Sequence, residues 1–253
     1  EAMGLPEERL LVTVYEHDEQ SERLWLEQGV PAGRIGRCGT KDNFWSMGST
    51  GPCGPCSEIH WDLQDDFIPD DEPDPWGFGH DAGRYMEIWN LVFIQFNANA
   101  DGTYSPLPAQ HVDTGMGFER ACSIIQCTNG FTDFSGIISN YETDVFTPIF
   151  QTLEEMSGKT YGSSMPDPAD IAFRVIADHI RCLAFSIADG IIPSNEGRGY
   201  VLRRILRRAV RTGRILGFKD PFFYKLADTI AGLYGDVFPE LRTNLDRVRK
   251  TLK

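Results

Sequence analysis

The sequence predicts an α+β fold in which a strand-rich unit is followed by a helical one. Three observations lead there. Leu10, Val12 and Val14 alternate with polar positions, and the run EIWNLVFIQFN (87–97) has the composition of a strand. Beyond about residue 128 the apolar residues recur with a helical period instead. Strands first and helices later is the order of an α+β chain. The expected units are 1–128 and 129–253, and 253 residues suffice for one large core or two modest ones.

Along the chain, Leu10, Val12 and Val14 read as a half-buried strand, and SERLWLEQ offers Ser21 as the N-cap of a short helix. GSTGPCGPCSEIHWD reads as a Gly/Pro turn leading into a strand from Glu58 to Asp62. DDFIPDDEPDPWGFGHD, acidic and proline-rich, reads as an exposed loop or insertion. EIWNLVFIQFN ends at Asp101-Gly102, a hairpin-type turn. Side chains alternate along a strand, so Ile88, Asn90, Val92, Ile94 and Phe96 are expected on one face, which sets the Asn90 amide among apolar neighbours. DTGMGFER (113–120) then turns the chain from a strand end into an apolar helix. RVIADHIRCLAFSIADG carries a helical apolar period that ends at Gly190. GYVLRRILRRAVR follows, with Val201, Leu202, Ile205, Leu206, Ala209 and Val210 expected on one side and arginines on the other.

Composition limits the function classes. The hydrophobic fraction of 41% and charged fraction of 24% are those of a soluble globular protein. No apolar run approaches the length of a membrane span, and EAMGLPEERL has neither the basic start nor the apolar stretch of a signal peptide. A cytoplasmic protein with no membrane partner is expected, and the missing initiator Met suggests a piece of a longer chain. Six unevenly spaced cysteines suggest a reducing compartment, not a disulfide framework. The net charge of −13 is unevenly spread: residues 198, 203, 204, 207, 208, 211 and 214 are all arginine, with no acid between them. One cationic segment on an anionic body points to a phosphate-backbone surface there and to little affinity for polyanions elsewhere. Asp178, His179 and Arg181 fall on the polar face of the preceding helix, toward RNA or solvent.

Three stretches carry the chemistry. In DTGMGFER, Gly115 and Gly117 let the backbone approach a ligand, and the following helix turns free N–H groups toward anions. Arg120 offers a planar cation for phosphate or a base, and Asp113 can hold an ammonium group. The plainer alternative is a strand-to-helix turn with a solvated Glu119–Arg120 pair. In DNFWSMGSTGPCGPCSE, the Cys53-x2-Cys56 pair with His60 hints at zinc. Zinc wants about four ligands and no second pair has finger-like spacing, so no metal is expected. Trp45 there is either core or a pocket wall. In SNEGRGYVLRRILRRAVRTGR, Asn195 precedes the arginine helix, either as a turn residue or as a polar probe beside an RNA groove.

Together VDTGMGFER, DNFWSMGSTGPCGPCSE, EIWNLVFIQFN and RVIADHIRCLAFSIADGIIPSNEGRGYVLRRILRRAVR resemble the alanyl-tRNA synthetase family, over nearly the whole chain. GMGFER resembles the third signature motif of class II synthetases. The resemblance implies part of an antiparallel β-sheet catalytic domain followed by a helical domain that recognises the tRNA(Ala) acceptor stem. It implies that Asp113 binds the alanine ammonium, that Trp45 and Val92 wall in the methyl group, and that Asn90 and Gly115 line the same pocket. Arg120 is implied as the ATP-contacting arginine, catalytic together with Asp113, with Gly115 and Gly117 beside the nucleotide. Asn195 is implied to read the G·U wobble pair, whose guanine amine is free to donate to an amide oxygen. Arg203, Arg204, Arg207 and Arg208 are implied as backbone contacts.

The implied reaction consumes ATP, with Mg²⁺ on its phosphates, to make alanyl-adenylate and then alanyl-tRNA. The first two signature motifs, the zinc-bearing editing domain and the oligomerisation region are expected outside this chain, and the segment alone is expected to be inactive. Two other readings are a non-catalytic RNA-binding module and a small-molecule ligase that works without tRNA. The intact pocket residues speak against the first and the arginine helix against the second.

Overall fold

The computed structural model describes residues 3–63 and 84–253; the stretch expected as an acidic loop, 65–81, lies outside them. The chain forms two compact units, which divide between Ser139 and Asn140.

The first unit contains, in order, β1 (Leu10–Tyr15), α1 (Glu19–Glu27), β2 (Ile35–Cys38), α2 (Thr40–Asn43), β3 (Phe44–Ser46), β4 (Gly51–Asp62), β5 (Tyr85–Ala98), β6 (Tyr104–Met116) and α3 (Phe118–Cys127). The sheet order is β2-β1-β4-β5-β6, with β3 also paired to β4. Among the described residues β1 and β2 run parallel and the other pairings are antiparallel. β1 takes the 57–61 stretch of one β4 edge and β3 takes 53–55, so β3 continues where β1 stops.

Four local expectations need correction. β1 is buried on both faces, with Leu11 and Thr13 as enclosed as Val12 and Val14: Trp25 of α1 packs on Val12 and Val14, and Asn43 of α2 bonds to Thr13 on the other side. The N-cap of α1 is Asp18, not Ser21: its carboxylate accepts from the Ser21 N–H at 3.1 Å and from the Ser21 hydroxyl at 2.6 Å. The GPCGPC stretch is not a turn but the first half of β4. A Cβ on Gly54 would lie 1.8 Å from the Phe93 carbonyl oxygen, so glycine here permits a strand approach that no side chain allows. Finally, Ile59 pairs with Trp89 and His60 with Glu87, which leaves Ile88 as the extra residue of a β-bulge. Ile88 therefore joins Trp61 and Ile124 in a buried cluster and does not share the face of Asn90.

The two sheet faces differ in kind. One packs Val12, Val14 and Ile35 with Trp25 of α1, and Trp61 and Ile88 with Ile124 of α3. The other carries Thr13, Glu58, Asn90 and Gly115, one residue from each of four neighbouring strands. A buried ion pair closes the far end of β4 against β5: Arg84 donates to both Asp62 oxygens, at 2.9 and 2.8 Å.

The second unit is helical: α4 (Thr147–Ser157), α5 (Pro168–Ala188), α6 (Gly197–Thr212), α7 (Leu226–Tyr234), α8 (Glu240–Thr243) and α9 (Leu245–Leu252). Asp167 caps α5, accepting from the Ala169 and Asp170 N–H groups, with Pro168 in the first turn. Gly190 follows its end with φ +93°. Ile176, Ile180, Leu183 and Ile187 of α5 are fully enclosed, as are Leu153 of α4 and Leu226 and Ile230 of α7. Among the described residues no helix is long and apolar enough to cross a membrane.

Candidate active site

On the polar face of the first unit's sheet, strand register brings most of the expected pocket residues together. Asn90 of β5 lies across from Glu58 of β4 on one side and Gly115 of β6 on the other. Two residues along, Val92 lies between Cys56 and Asp113. Directly opposed residues project from the same face, so these two rows form one surface. Trp45 pairs with Gly54, two residues from Cys56 on the same strand. Trp45 is 37% exposed and Asp113 is exposed, its Oδ1 accepting from the Thr114 N–H at 2.9 Å. Space above Gly115 is open: a Cβ there would touch nothing within 4 Å.

Beneath this surface runs a polar network absent from the sequence expectations. Asn90 donates from Nδ2 to Glu58 Oε1 at 2.8 Å, and His60 Nε2 lies 3.1 Å from Glu58 Oε2. Thr13 donates to the same carboxylate at 3.5 Å and accepts from the fully buried Asn43 at 2.9 Å. Asn43 also donates to the Cys56 carbonyl at 3.1 Å. An acid between the apolar Cys56 and Ile59 was the available signal for Glu58. Its partner on β5 was not legible.

Arg120 stands in the first turn of α3. The main-chain ladder of β6 ends opposite Trp89, the Gly117 N–H reaches the Ile88 carbonyl at 2.8 Å, and Arg120 Nη1 takes the next carbonyl, that of Glu87, at 2.6 Å. The same nitrogen pairs with the Glu87 carboxylate at 3.2 Å, so Glu87 is an ion-pair partner that the sequence did not suggest. Its Nε and Nη2 have no protein hydrogen bond among the described residues, and the side chain is 45% exposed. Gly117 precedes the helix as its N-cap with an extended backbone; neither it nor Gly115 uses a positive φ.

Cys53 and Cys56 are buried in β4. Burial pushes both thiols up, Cys56 to about 11, with Glu58 and Glu87 adding to the effect there. Among the described residues no three His, Cys, Asp or Glu side chains cluster as metal ligands.

The second unit carries the arginine helix. Asn195 lies exposed in the loop before α6. That loop is tight: a Cβ on Gly199 would lie 2.3 Å from the Ser194 hydroxyl, and Ser194 donates its N–H to the Gly199 carbonyl at 2.9 Å. Arg203 donates to Asn195 Oδ1, so one lone pair of that oxygen is already engaged and one remains. Arg203, Arg204, Arg207 and Arg208 are all exposed. The expected division of α6 into an apolar and a basic side is incomplete, because Val201 and Val210 are 54% and 42% exposed. Only a narrow strip, Gly199, Leu202 and Ala209, is buried. Arg207, Arg208, Arg211 and Arg214 line a groove of about 730 Å³ together with the end of α9. Of the polar residues on α5, Asp178 accepts from the Tyr141 hydroxyl at 2.7 Å and Arg181 lies over the Phe146 ring, so both are committed inside the unit. His179 is half-buried, and burial and then Arg208 lower its pKa.

The antiparallel sheet, its polar face and the GMGFER turn delimit a class of protein. The sequence matches tRNA synthetases class II (A) over residues 1–253, and the chain belongs to that family. Among its relatives are proteins named Alanine--tRNA ligase. Those of Chlorobium phaeovibrioides and Akkermansia muciniphila are 52% and 51% identical over 98% and 100% of this chain, and that of Acidithiobacillus ferridurans is 49% identical over 100%. The chain spans 27%, 29% and 27% of the length of these three relatives.

Proposed function

We propose that this chain is the later part of the aminoacylation domain of an alanine–tRNA ligase together with helices that receive the tRNA(Ala) acceptor stem. The observation that carries the reading is the pair of adjoining rows, Glu58–Asn90–Gly115 and Cys56–Val92–Asp113, beside an arginine with unengaged donors. Asp113 holds the ammonium group of alanine. Val92 and Trp45 flank its methyl group, and open space over Gly115 accommodates it.

Arg120 uses its remaining N–H groups on the nucleotide. With the amino acid oriented, one carboxylate oxygen attacks the α-phosphorus of ATP, the bond to the bridging oxygen breaks, and pyrophosphate leaves. The terminal ribose hydroxyl of tRNA then attacks the carbonyl carbon, loses its proton, and displaces AMP. Positioning and neutralisation of phosphate charge supply most of the acceleration. Mg²⁺ bound with ATP would supply further neutralisation of phosphate charge beside Arg120. A site built around a methyl group discriminates weakly against an added hydroxyl or a lost methyl, so serine and glycine are activated at a low rate.

On α6, Arg203, Arg204, Arg207 and Arg208 engage the phosphate backbone, and the free lone pair of Asn195 Oδ1 accepts from the unpaired guanine amine of the wobble pair. Alanine-dependent exchange of pyrophosphate into ATP by the full-length protein tests the first step, and its absence refutes the reading. Binding of tRNA(Ala) across a salt series tests the second. Replacing Arg207 and Arg208 by Ala lowers the slope of log K against log salt by roughly 0.7–0.9 for each phosphate that is no longer neutralised.

A further inference from the structure

We infer that Glu58 is a positioning residue that sets the polarity of the alanine pocket. By accepting the Asn90 amide N–H, it turns Asn90 Oδ1 into the pocket as an acceptor for the substrate ammonium group. The inference rests on the alanine-activating reading above.

Asn90 has two chemically opposite ends, and its neighbour decides which one meets the ligand. Glu58 is 12% exposed, and its Oε1 lies 2.8 Å from Asn90 Nδ2. A carboxylate accepts and does not donate, so only the NH₂ end of the amide can face it. The carbonyl end is thereby aimed away from Glu58. There, Oδ1 is shut off from solvent and has no hydrogen-bond partner among the described residues. A buried acceptor left unpaired is costly, and a ligand N–H removes that cost.

Glu58 itself is held from behind. His60 lies 3.1 Å from its second oxygen, Thr13 lies 3.5 Å from the same atom, and the fully enclosed Asn43 fixes Thr13 at 2.9 Å. The carboxylate cannot swing out to release Asn90 without breaking this chain of contacts. On the other side of Asn90, Gly115 contributes no side chain and the space over it is open. In the adjoining row Asp113 supplies negative charge. An ammonium group, with three donors, matches a carboxylate and an amide oxygen in neighbouring rows. A substrate lacking that group leaves Oδ1 unpaired.

The test uses the full-length protein and alanine-dependent pyrophosphate exchange, with KM for alanine and for ATP measured separately and thermal midpoints recorded. Asn90→Ala keeps Glu58 bonded to His60 but removes the acceptor; KM for alanine should rise about tenfold or more while KM for ATP holds. The double variant Glu58→Gln/Asn90→Asp reverses the pair. The introduced glutamine becomes the donor, and the introduced aspartate still presents an oxygen to the pocket. This variant should keep KM for alanine within about threefold of wild type, the remainder of one hydrogen bond being preserved.

An unchanged KM for alanine in Asn90→Ala overturns the inference, and that variant decides alone should the double variant not fold. A larger rise in the double variant also overturns it, since a pocket lined by the amide NH₂ would then have received a carboxylate in its place. If the wild-type protein shows no alanine-dependent exchange, the functional reading falls and this inference with it. Exchange by wild type with either adverse variant result removes the Glu58–Asn90 arrangement and leaves the functional reading standing.

Discussion

A Cβ placed on Gly117 would lie 3.1 Å from Cδ of Arg120 and 3.3 Å from its Cβ. The glycine therefore clears the path by which Arg120 reaches the Glu87 carbonyl. Gly117→Ala crowds a flexible side chain, not the backbone, so the unit folds but the guanidinium shifts. The expected outcome is a fall of about tenfold in kcat/KM for ATP in the full-length protein, from misplacement of a positioning group. The thermal midpoint should change little. A variant with wild-type ATP kinetics would show that Arg120 placement does not depend on this clearance.

Gly54→Ala should behave in the opposite way. The clash is with the Phe93 carbonyl oxygen, a backbone atom in the paired strand, and β4 cannot yield without opening the sheet. Overpacking of this kind costs on the order of 3 kcal/mol. Denaturant unfolding should show the midpoint lowered accordingly, with loss of pyrophosphate exchange following loss of structure.

His179 couples pH to the second unit. Burial first, and then the Arg208 charge, hold its pKa below the ordinary histidine value, with Asp178 pulling the other way. The unfolded chain therefore binds the proton before the folded one does. The stability associated with neutral His179 is complete above about pH 6.5 and is lost as pH falls toward the folded-state value. Arg208→Ala should raise the His179 pKa part of the way, because the burial remains; an NMR titration of the imidazole reads this directly. His179→Gln should flatten the fall of the unfolding midpoint between about pH 7 and 5.

The cysteines should separate by accessibility. Cys182 is exposed, whereas Cys38, Cys53 and Cys56 are buried, and Cys56 is also held protonated. A thiol reagent at neutral pH should modify Cys182 in the native protein and reach the other three only on unfolding. Rapid native-state labelling of Cys56 would contradict the packing of β4.

Local sequence by itself determined the type of most elements and the chemical inventory. Period-two alternation marks β1, strand-forming composition marks β5, helical periodicity ending at Gly190 marks α5, and VDTGMGFER announces the strand-to-helix turn and its arginine. Those features are legible because they are set by neighbours within a few residues.

Tertiary structure alone decided which residues meet. Asn90 and Glu58 are 32 residues apart, and Arg120 and Glu87 are 33 apart. A period in sequence assigns side chains to alternate faces but carries no information on register between strands. One bulge at Ile88 moved that residue to the opposite face from Asn90, and the β4 pairing of GPCGPC overrode its turn-like composition. The bulge sets Ile88 beside Trp61 and Ile124 in one buried cluster, which takes apolar surface out of water.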